Sequence, residues 1–290
     1  MKKRDAFSQC HPLVNFLFFV GAIGFGVVIQ HPAYIALGCL GAAAYYLWLL
    51  PGKAWKTVLG MVPVFLFVAA INPLFNHEGE QVLFLVFGNP YTLEALCYGM
   101  AVAGILVVML LWFCSYSLVL TSDKFICLFG SVIPSLSLLL TMVLRMIPSL
   151  VRKAKAITGS RDAIGKGLAV NAKNKEKLQN GAAVLSSLTD WALEGSVITA
   201  DSMRSRGYGT ARRTSFMIYR VTGRDYVLLA AMLLLAAATL FFGGFDAAYT
   251  PALSVSPVTW GLAAYGLFLG LPIILNVKEA IAWHISISRI

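Results

Sequence analysis

Apolar residues run almost unbroken over 13–29, 33–50, 57–71, 91–120, 226–242 and 258–277, and short polar or proline-bearing breaks separate the runs. A helix needs roughly 20 mainly apolar residues to cross a bilayer, so these runs predict six spans. Gln30-His31-Pro32 turns the first into the second, and Pro51-Gly52-Lys53 ends the second. Pro63 lies inside the third, where neighbouring helices can satisfy the freed backbone group. Residues 72–90 form a loop with Glu78 and Glu80 and no Lys or Arg; its apolar piece, 81–87, is too short to cross. Thr121-Ser122-Asp123 predicts a helix cap before Phe125. The run 125–147 is ambiguous. Pro134 splits it, leaving a shallow hairpin or a helix that exits the membrane obliquely.

Beyond that run the period changes from continuous to amphipathic. A helix starts near Ser135, passes Arg145 and should kink at Pro148, which removes a backbone donor and clashes with the preceding turn. It carries Arg152, Lys153 and Lys155, and either ends at Thr158-Gly159-Ser160 or continues through Arg161-Asp162 to a stop at Gly165-Lys166-Gly167. A second helix is predicted from about 174 to 205. On it Leu178, Leu185, Leu188, Ala192, Gly195 and Thr199 fall on one stripe with heptad-like spacing, suited to packing against another helix. Glu176, Asp190, Glu194 and Asp201 cluster opposite. Gly207 and Gly209 then stop the helix, since glycine readily takes the left-handed conformation at a helix end. Arg204 and Arg206 therefore occupy its last turn, where positive charge complements the helix dipole. The expected organisation is 1–121 as N-terminal spans, 122–225 as a cytoplasm-facing helical region, and 226–290 as C-terminal spans, in an all-α polytopic membrane protein.

Composition agrees. Of 290 residues 59% are hydrophobic and 12% charged, against about 25% charged in soluble domains, and the mean hydropathy is +0.77. Lys2, Lys3 and Arg4 could open a signal peptide, but Pro12 and the lack of a small-residue cleavage site favour a retained first span. The net charge of +10 raises the question of nucleic acid, and its placement answers it. Fifteen of the 23 Lys and Arg lie between Arg145 and Arg224, against five acids. That is the cytoplasmic bias of membrane proteins, and it predicts both termini in the cytoplasm. Lys53, Lys56, Lys124 and Lys278 fit the same orientation. The cysteines at 10, 39, 97, 114 and 127 form no CxxC pair, and the four histidines are scattered. Neither set predicts a metal site.

Three stretches carry a family resemblance. Ala192-Leu193-Glu194 through Ala200-Asp201-Ser202-Met203, followed by Ser205-Arg206-Gly207-Tyr208-Gly209, resembles the second signature helix of the transmembrane T component of energy-coupling factor transporters, the EcfT/CbiQ family. Arg145-Met146-Ile147-Pro148 with the basic helix to Ser160-Arg161-Asp162 resembles the helix bearing the first signature, although Ser and Asp stand where Ala and Gly are usual. The order of spans, coupling region and late spans extends the resemblance over the whole chain.

The resemblance implies a non-catalytic scaffold. Two cytoplasmic ABC ATPases would dock on the signature helix ends, at Arg206 with Ser205, Gly207 and Arg204, and at Arg161 with Ser160 and Asp162. A small membrane S component, which binds a vitamin or a metal ion, would rest on the apolar platform of Leu178, Leu185, Leu188, Ala192, Gly195 and Thr199. ATP would be bound by the partners, and this chain would hold no cofactor or metal. The chain has no phosphate-binding loop of its own, since Gly165-Lys166-Gly167 lacks the spacing and the Ser or Thr. A conventional ABC importer permease would need polar residues inside the spans, and almost none are present. A membrane enzyme would need clustered His, Asp or Glu. A channel or lipid-binding protein explains the basic patch but not the two long helices.

Overall fold

The computed structural model describes residues 5–76, 81–86, 89–130, 133–165, 174–210, 219–249 and 254–287. Lys2 to Arg4, Glu78, Glu80, Lys166, Gly167 and Arg289 lie outside them. The helices are α1 (Pro12–Val28), α2 (Pro32–Leu49), α3 (Ala54–Phe75), α4 (Leu93–Val119), α5 (Ser122–Gly130), α6 (Pro134–Ala163), α7 (Asn174–Ser205), α8 (Gly223–Phe242) and α9 (Trp260–Ile287). Two small antiparallel hairpins complete the described residues: β1 (Val82–Val86) with β2 (Asn89–Thr92), and β3 (Ala247–Ala248) with β4 (Ser254–Val255). The protein is an all-α polytopic membrane protein. Within the apolar 81–87 piece, Val82–Val86 is a strand, not a loop, because its partner Asn89–Thr92 supplies the backbone bonds that so short a run cannot supply as a helix.

Contacts divide the chain into two compact units, 1–125 with 219–290, and 126–218. The first and last sequence segments thus form one body.

In the first unit α4 packs on α1, α2 and α3, and α2 and α8 pack on α9. Its core is aromatic. Phe18 meets Trp112 edge-on at 5.5 Å and stacks on Phe268 at 5.4 Å. Phe19 and Tyr45 flank the same indole. Helices approach closely where side chains are small. A Cβ at Gly99 on α4 would sit 2.8 Å from the Ala69 carbonyl of α3. Leu59, Leu66 and Phe67 on α3, and Leu233, Leu234 and Phe241 on α8, are exposed, as acyl-chain contact requires.

Each end of this bundle is closed by polar contacts. At one end, Asp5 accepts from Tyr45 Oη at 3.0 Å and from Asn276 Nδ2 at 2.6 Å. Asn276 Oδ1 accepts from the Ala6 amide at 2.7 Å, and Asp225 Oδ1 accepts from the His11 amide at 3.1 Å. Lys124 Nζ donates to the Ser8 carbonyl, to Ser8 Oγ at 3.0 Å and to the Val119 carbonyl at 2.9 Å. With its amide turned to suit both neighbours, Asn15 donates to Phe7 and accepts from Lys124. Burial lowers the Lys124 pKa, and the nearby Asp5 charge works against that shift. Lys124 is therefore a buried structural cation, 4% exposed, and not the solvated loop charge its position in the sequence suggests.

At the other end, His31 accepts from the Ala33 amide at Nδ1, so its Nε2 donates to the Ser256 carbonyl at 3.0 Å. Tyr249 Oη donates to the Gln30 carbonyl at 2.7 Å and its ring meets Tyr98. Both hairpins connect helices at this end. Hence α1, α3 and α8 run from the N-terminal end to the hairpin end, and α2, α4 and α9 run back. Among the described residues six helices are long and apolar enough to cross a membrane, and they include α6 from Ser135 but not α1, whose 17 residues place it among the shorter apolar helices.

Candidate functional site: the ends of α6 and α7

Within the second unit, α6 and α7 form an antiparallel pair. Near the C-terminus of α6, Arg161 Nη2 donates to Asn180 Oδ1 near the N-terminus of α7, at 3.3 Å. Two turns earlier on α6, Lys153 Nζ lies 5.7 Å from the centre of the Trp191 ring, a cation–π contact. α6 continues unbroken through Pro148 and through Thr158-Gly159-Ser160, so the longer of the two alternatives holds. It ends where Gly165 turns left-handed at φ 74° and its amide donates to the Asp162 carbonyl at 3.0 Å.

The end of α7 is a Schellman cap. The Tyr208 amide donates to the Met203 carbonyl and the Gly207 amide to the Arg204 carbonyl, each at 3.0 Å. Gly207 has φ 79°, and Gly209 has φ 91°. Ser205 Oγ donates to the Ser202 carbonyl, and Thr210 Oγ1 donates to the Gly207 carbonyl. Local hydrogen bonds thus fix the backbone on both sides of Arg206.

The two helix ends differ in register. Arg206 immediately precedes its left-handed glycine, whereas Arg161 lies four residues before Gly165 and occupies the place that Met203 holds on α7. Arg161, Ser160 and Asp162 are therefore inside the last turns of α6, and Gly159 to Asp162 does not close that helix. Ser160 Oγ donates back to the Ala156 carbonyl at 3.0 Å. Arg161 is half-buried and engaged with Asn180. Arg204 and Arg206 are exposed and have no acidic partner among the described residues. A basic group at the final turn is favoured by the carbonyl end of the helix.

The predicted apolar stripe on α7 divides in two. Leu188, Ala192 and Gly195 are half-buried, in line with Asn180, Val184 and Trp191. Leu178 and Leu185 are 76% and 66% exposed, and Thr199 is exposed, its hydroxyl bonded to the Gly195 carbonyl. Glu176, Asp190, Glu194 and Asp201 are all exposed. The sequence pattern points to Lys153 only as one of the basic residues of α6 and does not single out Asn180 or Trp191, although Trp191 one residue before Ala192 was a usable signal, since a tryptophan seldom stays fully in water. Among the described residues no group of His, Cys, Asp or Glu could hold a metal ion, and all five cysteines are free. The chain matches no family model and has no significant match among curated proteins.

Proposed function

We propose that this chain is the membrane-embedded T component of an energy-coupling factor importer. It is a non-catalytic scaffold in a cell membrane with both termini and the α6–α7 pair in the cytoplasm. Two ABC ATPases supply ATP hydrolysis, and a small S component supplies the vitamin or metal-ion specificity. The observation that carries this reading is the end of α7. A 32-residue helix, stopped by a glycine cap, presents Arg204 and Arg206 to solvent at fixed geometry. A guanidinium offers five donors in a rigid fork, which fits carboxylates or helix-end carbonyls in a groove of a partner. A long helix with a fixed end transmits an angular change that a loop would absorb. The exposed Leu178 and Leu185 give the S component an apolar contact free of buried charge.

Arg206 is the principal anchor, with Arg204, Ser205 and Gly207 around it. Arg161 acts first on the hairpin itself, through Asn180, and its part in ATPase docking is secondary. The test is co-purification of the ATPases with tagged chain from detergent-solubilised membranes. Arg206→Glu abolishes ATPase recovery and leaves membrane insertion and the melting profile unchanged. Undiminished ATPase recovery with Arg206→Glu removes the assignment.

A further inference from the structure

α6 is apolar and long enough to cross a bilayer, but the chain path does not let it. α4 ends, and α8 begins, at the N-terminal end of the first unit. Lys124 donates both to the Val119 carbonyl, at the end of α4, and to Ser8, and Asp225 accepts from the His11 amide. The segment between them therefore makes an even number of crossings. If α6 crossed, something else would have to return. α5 has nine residues, about 14 Å of helix. α7 carries seven charged side chains from Lys175 to Arg204 and is not among the crossing helices. The connecting segments 166–173 and 211–218 have eight residues each, far short of the roughly 20 a crossing needs. α6 thus stays on one side, and the six crossing helices are α1, α2, α3, α4, α8 and α9.

A helix that cannot cross still has an apolar flank to cover. Leu136, Leu139, Val143, Ile147 and Val151 follow one another at three and four residues and are each 44–58% exposed. At about 100° per residue, Arg145, Arg152 and Lys155 group within about 80° of each other on the opposite side. All three are exposed. From Pro134 to Ser160 the helix has no acidic residue. An apolar flank opposed by a purely basic one is the pattern of a helix lying in a bilayer interface, held by acyl contact and by anionic headgroups.

We propose that α6 is an anionic-lipid-binding interfacial helix, with Leu139, Val143, Ile147 and Val151 in the acyl region and Arg145, Arg152 and Lys155 on lipid phosphates. The inference stands independently of the transporter reading.

The test uses the full chain in nanodiscs of phosphatidylcholine alone or with about 30% phosphatidylglycerol, a fraction that makes the surface clearly anionic. Amide hydrogen exchange is followed over 136–151. Exchange there is expected to slow by about a hundredfold in the anionic discs, the three basic residues each being worth roughly fivefold, while α4 stays unchanged. Arg145→Gln/Arg152→Gln/Lys155→Gln removes the difference. Equal exchange in both lipids overturns the proposal. So does equal protection in detergent and in both disc types, which would mean that protein covers the flank. Cysteines placed at Ser135 and Ser160, with modified peptides identified by mass, label from the same face of proteoliposomes. Labelling from opposite faces also overturns it.

Discussion

The two units solve the same problem, that of covering apolar helix surface, in opposite ways. In the first, aromatic side chains from four helices interlock around Trp112, and every end of the bundle is tied by a polar contact. In the second, no described side chain of α6 or α7 is buried. The pair is held by Arg161 with Asn180, by Lys153 with Trp191, and by half-buried residues between. The first unit is a self-sufficient scaffold. The second is a rigid pair whose remaining apolar surface is left for lipid or for another protein. Function in such a molecule is expected at the open surface, not at the closed core.

That contrast breaks most sharply at Trp112. It is fully buried, and Trp112→Ala leaves a cavity lined by Phe18, Phe19 and Tyr45. Core Trp-to-Ala changes cost about 3–5 kcal/mol, enough to unfold a marginal bundle. Thiol labelling of the buried Cys10 during a thermal ramp in detergent reports it, with the transition falling steeply or being lost. The same measurement on Leu185→Ala, on the exposed side of α7, shows little change. If both variants lose equal stability, the second unit is not the open partner surface described above.

Lys124 is the next lever. Lys124→Met removes three donors and leaves the Ser8 and Val119 carbonyls and Asn15 without their shared cation. Unsatisfied buried acceptors cost about 1–3 kcal/mol each at most, and the change releases the N-terminal segment from the start of α5. The pH dependence has a definite sign. Burial holds the folded pKa of Lys124 below its ordinary value of 10.5, so the unfolded chain binds the proton more tightly. Stability therefore rises with pH through the alkaline window between the folded value and 10.5. Melting temperatures of the parent chain climb there relative to Lys124→Met. A parallel course for both would show that Lys124 is solvated.

Much of this architecture is legible from pattern alone. The runs 13–29, 33–50 and 226–242 become helices within a few residues, because length and apolarity leave a bilayer segment few options. The 174–205 helix is legible for another reason: its stripe repeats at helical spacing, and glycine punctuates its end. What stays hidden is long-range. Lys124 reads as a loop charge because nothing local tells that Ser8, 116 positions away, will fold over it. The strand at Val82–Val86 is hidden because its identity depends on its partner, Asn89–Thr92. The site is legible at Arg206, whose setting is local. It is not legible at Arg161, because Gly159 imitates a helix stop while the true stop is at Gly165, and because Asn180 lies on the next helix.

The finest test separates two glycines on α7. Gly207 sits at φ 79°, where a side chain is strained, and a residue other than glycine there costs about 1 kcal/mol. Gly195 is helical, and a Cβ there would meet nothing within 4 Å, so alanine gains up to about 1 kcal/mol of helix propensity. Gly207→Ala should therefore fray the last turn, seen as faster amide exchange at 203–208, with overall melting almost unmoved. Gly195→Ala should slow exchange along the middle of α7. The two variants also divide function from rigidity. If the fixed backbone beside Arg206 is what a partner reads, Gly207→Ala weakens ATPase recovery severalfold and Gly195→Ala leaves it intact. If recovery follows neither, the charge of Arg206 alone suffices, and the cap serves only to end the helix.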